Sequence, residues 1–284
     1  MECKKYKLFI NGEWCDGNNS GEFIERRNPT SGNIVAKYIK GSNIDIDHAS
    51  EVGLETLKSG IWSELSREKK SLILQNVADQ IDIRISELAE VESLETGKSI
   101  SDATNDIKNS VKCWRYAASI VRVEYGDFIN NLGDNKGAYT IYSPIGVVAL
   151  ILPWNFPFIV LSERLPFILA AGCSVVTKPS EYASGTSLLL GEILKDSGIP
   201  DGIYNVITGF GSEIGNHLVS NRNVKMVSFT GSTENGKSVM QTASKNLTKV
   251  SLELGGKSPI IVFPDCEIDS AADAVISGFT ENAG

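Results

Sequence analysis

Short apolar runs alternate with helical patterns along the second half of the chain: Val147 to Leu152, Ser174 to Thr177, Tyr204 to Ile207, Met226 to Phe229 and Pro259 to Phe263. Runs of this length without polar alternation are those of strands buried on both faces. Helices between such strands make each connection cross back to the same edge, and the result is a parallel sheet. The second half is therefore expected to be an open α/β sheet. Ligands of such sheets bind beyond the carboxyl ends of the strands, so those ends are where chemistry is to be sought.

Ahead of the sheet, the pattern is mainly helical. A strand pair is expected around Leu8 to Ile10 and Trp14, turning at Asn11-Gly12. Leu74, Val77, Ala78, Ile81, Ile85, Leu88 and Ala89 follow a 3.6-residue period, which predicts one helix that Gly97 ends. A second helix is expected over about Ser101 to Val123. The Asn-, Asp- and Gly-rich segment Gly126 to Lys136 reads as a linker, followed by a strand over Ala138 to Tyr142 that Ser143-Pro144 breaks. Ile268, Ala271, Ala272, Val275, Ile276 and Phe279 predict an amphipathic final helix whose apolar stripe needs a cover.

Composition narrows the function classes. At 284 residues, 42% hydrophobic and 22% charged, the chain can form one large domain or two ordinary ones. Thirty-five acidic against 27 basic residues give a net charge of -8, which argues against a general affinity for nucleic acid. The opening MECKKYKLFINGEW has too few consecutive apolar residues for a signal-peptide core, and no run reaches the ~18 apolar residues of a membrane span. Cys3, Cys15, Cys113, Cys173 and Cys266 are scattered without a C-x-x-C pair, and His48 and His217 stand far apart. Those spacings point to a reducing cytoplasm, no disulfide framework and no metal site. Cys173, opening a buried strand, and Cys266, ahead of the last helix, read as structural.

Five stretches carry candidate chemistry. Pro153-Trp154-Asn155-Phe156-Pro157 sets an amide at a strand's carboxyl end, where its N–H can donate to a developing oxyanion; an Asn in a Pro-rich loop can equally bond its own backbone. Thr177-Lys178-Pro179-Ser180-Glu181 puts a cation and a carboxylate at the same rim, as an acidic ribose-binding residue would stand or as any solvated loop would. Gly209-Phe210-Gly211-Ser212-Glu213-Ile214-Gly215 is one residue longer than the dinucleotide fingerprint. In Phe229-Thr230-Gly231-Ser232-Thr233-Glu234, Gly231 permits close backbone approach and Ser232 or Thr233 can cap a helix. Helix starts of that kind bind phosphates in some sheets and nothing in others. Glu253, between Leu252 and Leu254 and before Gly255-Gly256, is expected to be partly buried, either as a general base or in an ion pair with a lysine such as Lys249.

Taken in order, PWNFP, KPSE, FTGST and LELGGKSP resemble the aldehyde dehydrogenase superfamily, and the likeness extends from the Leu8 to Trp14 turn through Glu95-Thr96-Gly97-Lys98 to the final helix. The resemblance implies an α/β fold. Its NAD-binding domain is an open parallel sheet of Rossmann-like type, with a helical amino-terminal portion (1–125) and a β-hairpin oligomerisation segment with its linker (126–145). The Rossmann-like core then spans 146–256, and 257–284 begins a catalytic domain. It implies Asn155 as the oxyanion-hole amide and Glu253 as the base that activates water. NAD is the implied cofactor, with Ile151, Pro153, Trp154, Lys178, Ser180, Glu181, Gly211, Gly215, Phe229, Gly231, Ser232, Leu254 and Gly255 around it. Lys178 and Glu181 would hold the adenosine ribose, while Trp154, Leu254 and Gly255 would line the nicotinamide end. Glu181 favours NAD over NADP, since a 2'-phosphate would meet a like charge at a cost of up to ~4 kcal/mol at ~4 Å in a medium of effective dielectric about 20.

By the same resemblance the substrate is an aldehyde, oxidised to a carboxylic acid, and the full-length protein is a homo-oligomer. Family enzymes attack the aldehyde with a cysteine thiolate. That cysteine is expected just past Asn282-Ala283-Gly284, so these residues are expected to bind NAD without turning over aldehyde. The alternatives are a naturally truncated, non-catalytic partner of a full-length relative and a split enzyme completed by a second chain. Glu163, soon after PWNFP, is expected to favour a cationic aldehyde if it faces the substrate channel.

Overall fold

The computed structural model describes residues 3–19, 21–123, 126–133 and 135–284; Met1 and Glu2 of the opening stretch and Asp134 of the Gly126 to Lys136 segment lie outside them. The amino-terminal part contributes β1 (Lys4–Tyr6), β2 (Leu8–Ile10), β3 (Glu13–Cys15), β4 (Phe23–Arg27) and β5 (Ile34–Ile39). Four helices follow: α1 (Asn43–Lys58), α2 (Arg67–Ile83), α3 (Ile85–Thr96) and α4 (Ile100–Val123). After the short hairpin β6 (Phe128–Ile129) and β7 (Ala138–Tyr139), the chain alternates β8 (Val147–Ile151), α5 (Pro157–Ser162), α6 (Leu165–Ala170), β9 (Ser174–Lys178), α7 (Gly185–Asp196) and β10 (Tyr204–Val206). It continues through α8 (Asn216–Ser220), β11 (Val224–Gly231), α9 (Thr233–Ala243) and β12 (Lys249–Leu254) to α10 (Ile268–Thr280).

The main sheet has the order β12-β11-β8-β9-β10-β2-β3. The strands from β12 to β10 run parallel, and β2 and β3 close one edge antiparallel. Taken by their sequence, the parallel strands run third, second, first, fourth and fifth across the sheet, the doubly wound order, with its switch point between β8 and β11. Side chains alternate across β8: Val147, Ala149 and Ile151 join the core under α1, α8 and α9, whereas Leu150 and Leu152 join the core under α2, α4 and α7. The register sets Lys178, Ile151, Phe229 and Leu252 in one row across four strands and pairs Glu253 with Thr230 at the carboxyl edge.

Local sequence explains most element ends. Asn11 (φ 54°) and Gly12 (φ 72°) form the left-handed pair that a two-residue hairpin between β2 and β3 requires. Ser42 caps α1 in a reciprocal box with Asp45. Gly97 ends α3 in the left-handed conformation, as its position predicts.

The structure corrects several expectations. The single helix expected up to Gly97 is two, α2 and α3, because Arg84 leaves helical geometry (φ -98°, ψ 16°) and its guanidinium turns to Glu87 at 2.8 Å and Glu192 at 3.3 Å. The strand expected over Ala138 to Tyr142 is only Ala138–Tyr139, paired with the two residues Phe128 and Ile129. Pro259 to Phe263 forms no strand; Lys249–Leu254 already occupies the open side of β11, and Ile261 and Phe263 stand exposed. The final helix forms with its stripe uncovered, Phe279 being 63% exposed. Cys173 is buried, while Cys266 is exposed and fills no core position.

Candidate functional site

At the carboxyl edge of the parallel strands lies a cavity of about 940 Å³. The turns after each of the parallel strands contribute to its wall, and it opens between β8 and β11, where the connections diverge to opposite faces of the sheet. Asn155, Glu253 and all of the cofactor-binding residues named from the sequence line it, from Ile151, Pro153 and Trp154 to Leu254 and Gly255. Glu163 lines it too.

After β8, the chain passes through Pro153 to Pro157, and Pro157 takes the first position of α5, where its missing N–H costs nothing. Asn155 is exposed on this loop, and its backbone carbonyl accepts a hydrogen bond from Asn282 Nδ2 at 3.1 Å. Its side-chain amide is left available to the cavity. Trp154 beside it is 58% exposed.

Lys178, the last residue of β9, is buried; its ammonium donates to the Pro179 carbonyl at 2.8 Å and lies 3.5 Å from the Glu181 carboxylate. Burial pushes the Lys178 pKa down, and Glu181 pulls it back. An ammonium has three donors, so this one keeps a N–H for a ligand. Ser180 accepts from the Tyr182 N–H at 3.3 Å, which fixes the turn carrying Glu181.

After β10, Gly211 and Gly215 bound a single wide helical turn. A Cβ at Gly215 would meet nothing within 4 Å, and one at Gly211 only Lys178 Cε at 3.8 Å, so both glycines leave cavity space that a side chain would fill. Ser232 caps α9, its hydroxyl accepting from the Asn235 N–H at 3.2 Å, and the start of α9 faces the same space. Helix N-termini favour anions.

Glu253 departs from expectation. Its side chain is 58% exposed rather than buried, because β12 is the edge strand and nothing covers its outer side. Its ionic partner is the Arg164 guanidinium at 3.5 Å, not Lys249. Arg164 Nε is itself buried with no protein partner among the described residues. Sequence reasoning missed Arg164, Asn216 and Asn235 in the wall. Asn235, three residues after a cap serine, was the one with a local signal.

Among the described residues no cluster could hold a metal ion, no helix is long and apolar enough to cross a membrane, and no cysteine lines the cavity. The residues present suit a dinucleotide: bare glycines for close backbone approach, a buried ammonium with a spare donor, an adjacent carboxylate acceptor and a capped helix start, in a volume within the range of cofactor sites.

Known proteins resemble this chain in sequence and in fold. A family model described as the aldehyde dehydrogenase family matches residues 14–284. The chain is 38% identical over 285 residues to aldehyde dehydrogenase family 2 member C4 of Arabidopsis thaliana, covering 100% of this chain and 57% of the relative. Among solved structures, an NAD-dependent aldehyde dehydrogenase from Sinorhizobium meliloti superposes with a TM-score of 0.96 at 41% identity, covering 99% of this chain and 56% of that one. Betaine aldehyde dehydrogenase from Staphylococcus aureus, in complex with NAD+, gives a TM-score of 0.93 at 32% identity over 96% of this chain and 54% of that one. The chain thus spans little more than half the length of the relatives it matches.

Proposed function

Because the chain belongs to the aldehyde dehydrogenase family, we propose that it binds NAD in the cavity at the sheet's switch point and supplies the oxyanion donor and the water-activating base for oxidation of an aldehyde to a carboxylic acid. The observation that carries this reading is the meeting of Lys178 and Glu181, the bare Gly211 and Gly215, Asn155 and Glu253 around one cavity.

Each group has a task that its geometry supports. The Glu181 carboxylate accepts from the adenosine ribose hydroxyls and the Lys178 ammonium donates to them, at the rim after β9. Gly211 and Gly215 let backbone come close to the nucleotide, and Gly231 and Ser232 continue that wall at the start of α9. Pro153, Trp154, Leu254 and Gly255 border the nicotinamide end. Bound there, NAD accepts the hydride that leaves the aldehyde carbon. The Asn155 side chain donates to the oxygen that gains negative charge when the carbonyl carbon becomes tetrahedral. Glu253, exposed enough to meet water and steadied by Arg164, removes a proton from the water that hydrolyses the acyl thioester.

In the family reaction the acyl group is carried by a cysteine. None of this chain's five cysteines lines the cavity, and the Cys173 and Cys113 thiols are both pushed up in pKa by burial. We therefore assign the 284 residues NAD binding without aldehyde turnover. The setting is a reducing compartment such as the cytoplasm, consistent with five unpaired cysteines. The β6–β7 hairpin, with Phe128 and Tyr139 each 70% exposed, is the segment we assign to homo-oligomer formation.

Calorimetric titration of the purified, mass-verified chain with NAD tests the cofactor assignment, and absence of binding at millimolar NAD overturns it. An aldehyde-dependent rise in NADH absorbance well above buffer overturns the assignment of no turnover.

A further inference from the structure

Behind the cavity wall, and forming no part of its lining, sits a buried ionic cluster. Lys98 follows the Gly97 turn, and its ammonium donates to Glu92 on α3 at 2.9 Å and to Asp106 on α4 at 2.6 Å. The Lys98 and Glu92 side chains are 1% and 0% exposed. The same ammonium lies 4.6 Å from the centroid of the Phe156 ring, within cation–π range. The second Glu92 oxygen accepts the backbone N–H of Phe158 at 3.3 Å. One cluster thus holds the loop that carries Asn155 at two points, the residue directly after Asn155 and the start of α5.

Stability alone is a poor reason for this arrangement. Well-packed apolar residues of the same volume often replace a buried ion cluster with no loss, whereas a defined geometry needs directional contacts. Burial pushes the Glu92 carboxyl up in pKa, and the neighbouring Lys98 ammonium pulls it back. The cluster's contacts converge on a loop that is otherwise exposed at Trp154 and Asn155.

We propose that Glu92, Lys98 and Asp106 are positioning residues for the Asn155 loop: Lys98 clamps the Phe156 ring, Glu92 anchors the Phe158 N–H, and Asp106 holds Lys98 in place. The bearing of this tether on catalysis rests on the reading of Asn155 as oxyanion donor, but the tether itself is measurable without cofactor or aldehyde. It acts one shell away from the cavity, through Phe156 and Phe158.

Trp154 reports the loop directly. The chain contains four tryptophans, and incorporation of 5-fluorotryptophan gives one fluorine resonance for each, assigned by single Trp→Phe variants. In Lys98→Met the Trp154 resonance is expected to shift or to broaden at least twofold, while those of Trp14 and the buried Trp62 stay in place. If Lys98→Met fails to fold, Phe156→Leu removes the clamped ring while leaving all three charges paired, and it should move Trp154 in the same way. An unmoved Trp154 resonance in a folded variant overturns the proposal, and so does an equal disturbance of Trp14 and Trp62, which would mark general loosening. Binding supplies a second readout: the folded variant should lose NAD affinity severalfold and keep its affinity for AMP, which reaches only the Glu181 end. If the unsubstituted chain binds no NAD, the cofactor reading falls while the fluorine measurement still decides the tether.

Discussion

The Lys178 ammonium lies 3.5 Å from the Glu181 carboxylate at the rim of the cavity, with the lysine almost wholly buried and the glutamate partly open to solvent. Such a pair offers a ligand one donor and one acceptor side by side, which matches two adjacent ribose hydroxyls and opposes a 2'-phosphate. In Glu181→Gln the acceptor stays and the charge goes. The ratio of NAD to NADP affinity should fall roughly tenfold, about 1.4 kcal/mol, since water and salt reduce the full Coulomb cost at this half-open site. Titration of wild type and variant with both dinucleotides checks it, and an unchanged ratio would detach Glu181 from cofactor choice.

Gly215 separates fold from function. It directly precedes α8 as its cap with φ -61°, a conformation any residue adopts, and a Cβ there would meet no atom within 4 Å. Gly215→Ala should therefore raise stability by about 0.5 kcal/mol through the lower entropy of the unfolded chain. Gly215→Leu should fold as well but fill part of the cavity. NAD affinity should fall stepwise from Gly to Ala to Leu while the melting temperature does not, as parallel calorimetric and thermal-melt series would record.

The central strand β8 was legible in the sequence because it is buried on both faces and apolar throughout, while β9 and β10 keep an apolar centre or flank, Val175-Val176 and Val206, beside buried polar residues such as Thr177, Lys178 and Asn205. β12 was not read as a strand, since Lys249, Ser251 and Glu253 alternate with Val250, Leu252 and Leu254 in the pattern of a half-covered edge. Pro259 to Phe263 shows the converse: an apolar run is no strand until it pairs, and this one stands exposed at Ile261 and Phe263 and joins none of the sheets of the described residues. The break at Arg84 leaves no trace in periodicity, because the apolar positions of α2 and α3 stay in phase across one non-helical residue. Asn155, Lys178 and Glu181 were placed by motif at strand ends, whereas Arg164 acquires meaning only when folding brings it to Glu253 from a distant part of the chain.

Close approach of helix and sheet supplies a stability test. On α7, Gly191 packs against the Phe9 ring of β2, and a Cβ there would stand 2.7 Å from Phe9 Cδ1. The ring cannot withdraw freely, because Phe9 also meets Trp14 edge-on at 5.4 Å between centroids. Gly191→Ala should cost about 1–3 kcal/mol despite the better helix propensity of alanine, since overpacking outweighs the gain. Urea unfolding measures the loss; a variant as stable as wild type would mean that the antiparallel edge yields easily.

Glu95 predicts a pH dependence of folding. It is buried beneath Tyr38, whose hydroxyl donates to it, and it accepts the Gly185 N–H at 3.1 Å; Arg26 Nε donates to its backbone carbonyl at 2.7 Å. Burial raises its pKa from 4.5 to about 7, although the Tyr38 and Gly185 donors and the charges of Arg26 and Lys4 all act to lower it. The folded chain therefore holds this proton more tightly than the unfolded chain does. The corresponding stability is complete below the ordinary glutamate range and is lost as pH rises toward about 7, a swing on the order of 3 kcal/mol. Glu92, also raised to about 7, contributes a slope of the same sign, so the informative quantity is a difference. Glu95→Gln keeps an acceptor for Tyr38 or Gly185 and cannot titrate. Urea unfolding from about pH 5 to about pH 8 should show wild type losing stability relative to the variant across the interval, because both ionise Glu92 but only wild type must also ionise the buried Glu95. Parallel stability curves would mean that the Tyr38 and Gly185 donors already hold Glu95 ionised, and that burial is not the dominant influence on this carboxyl.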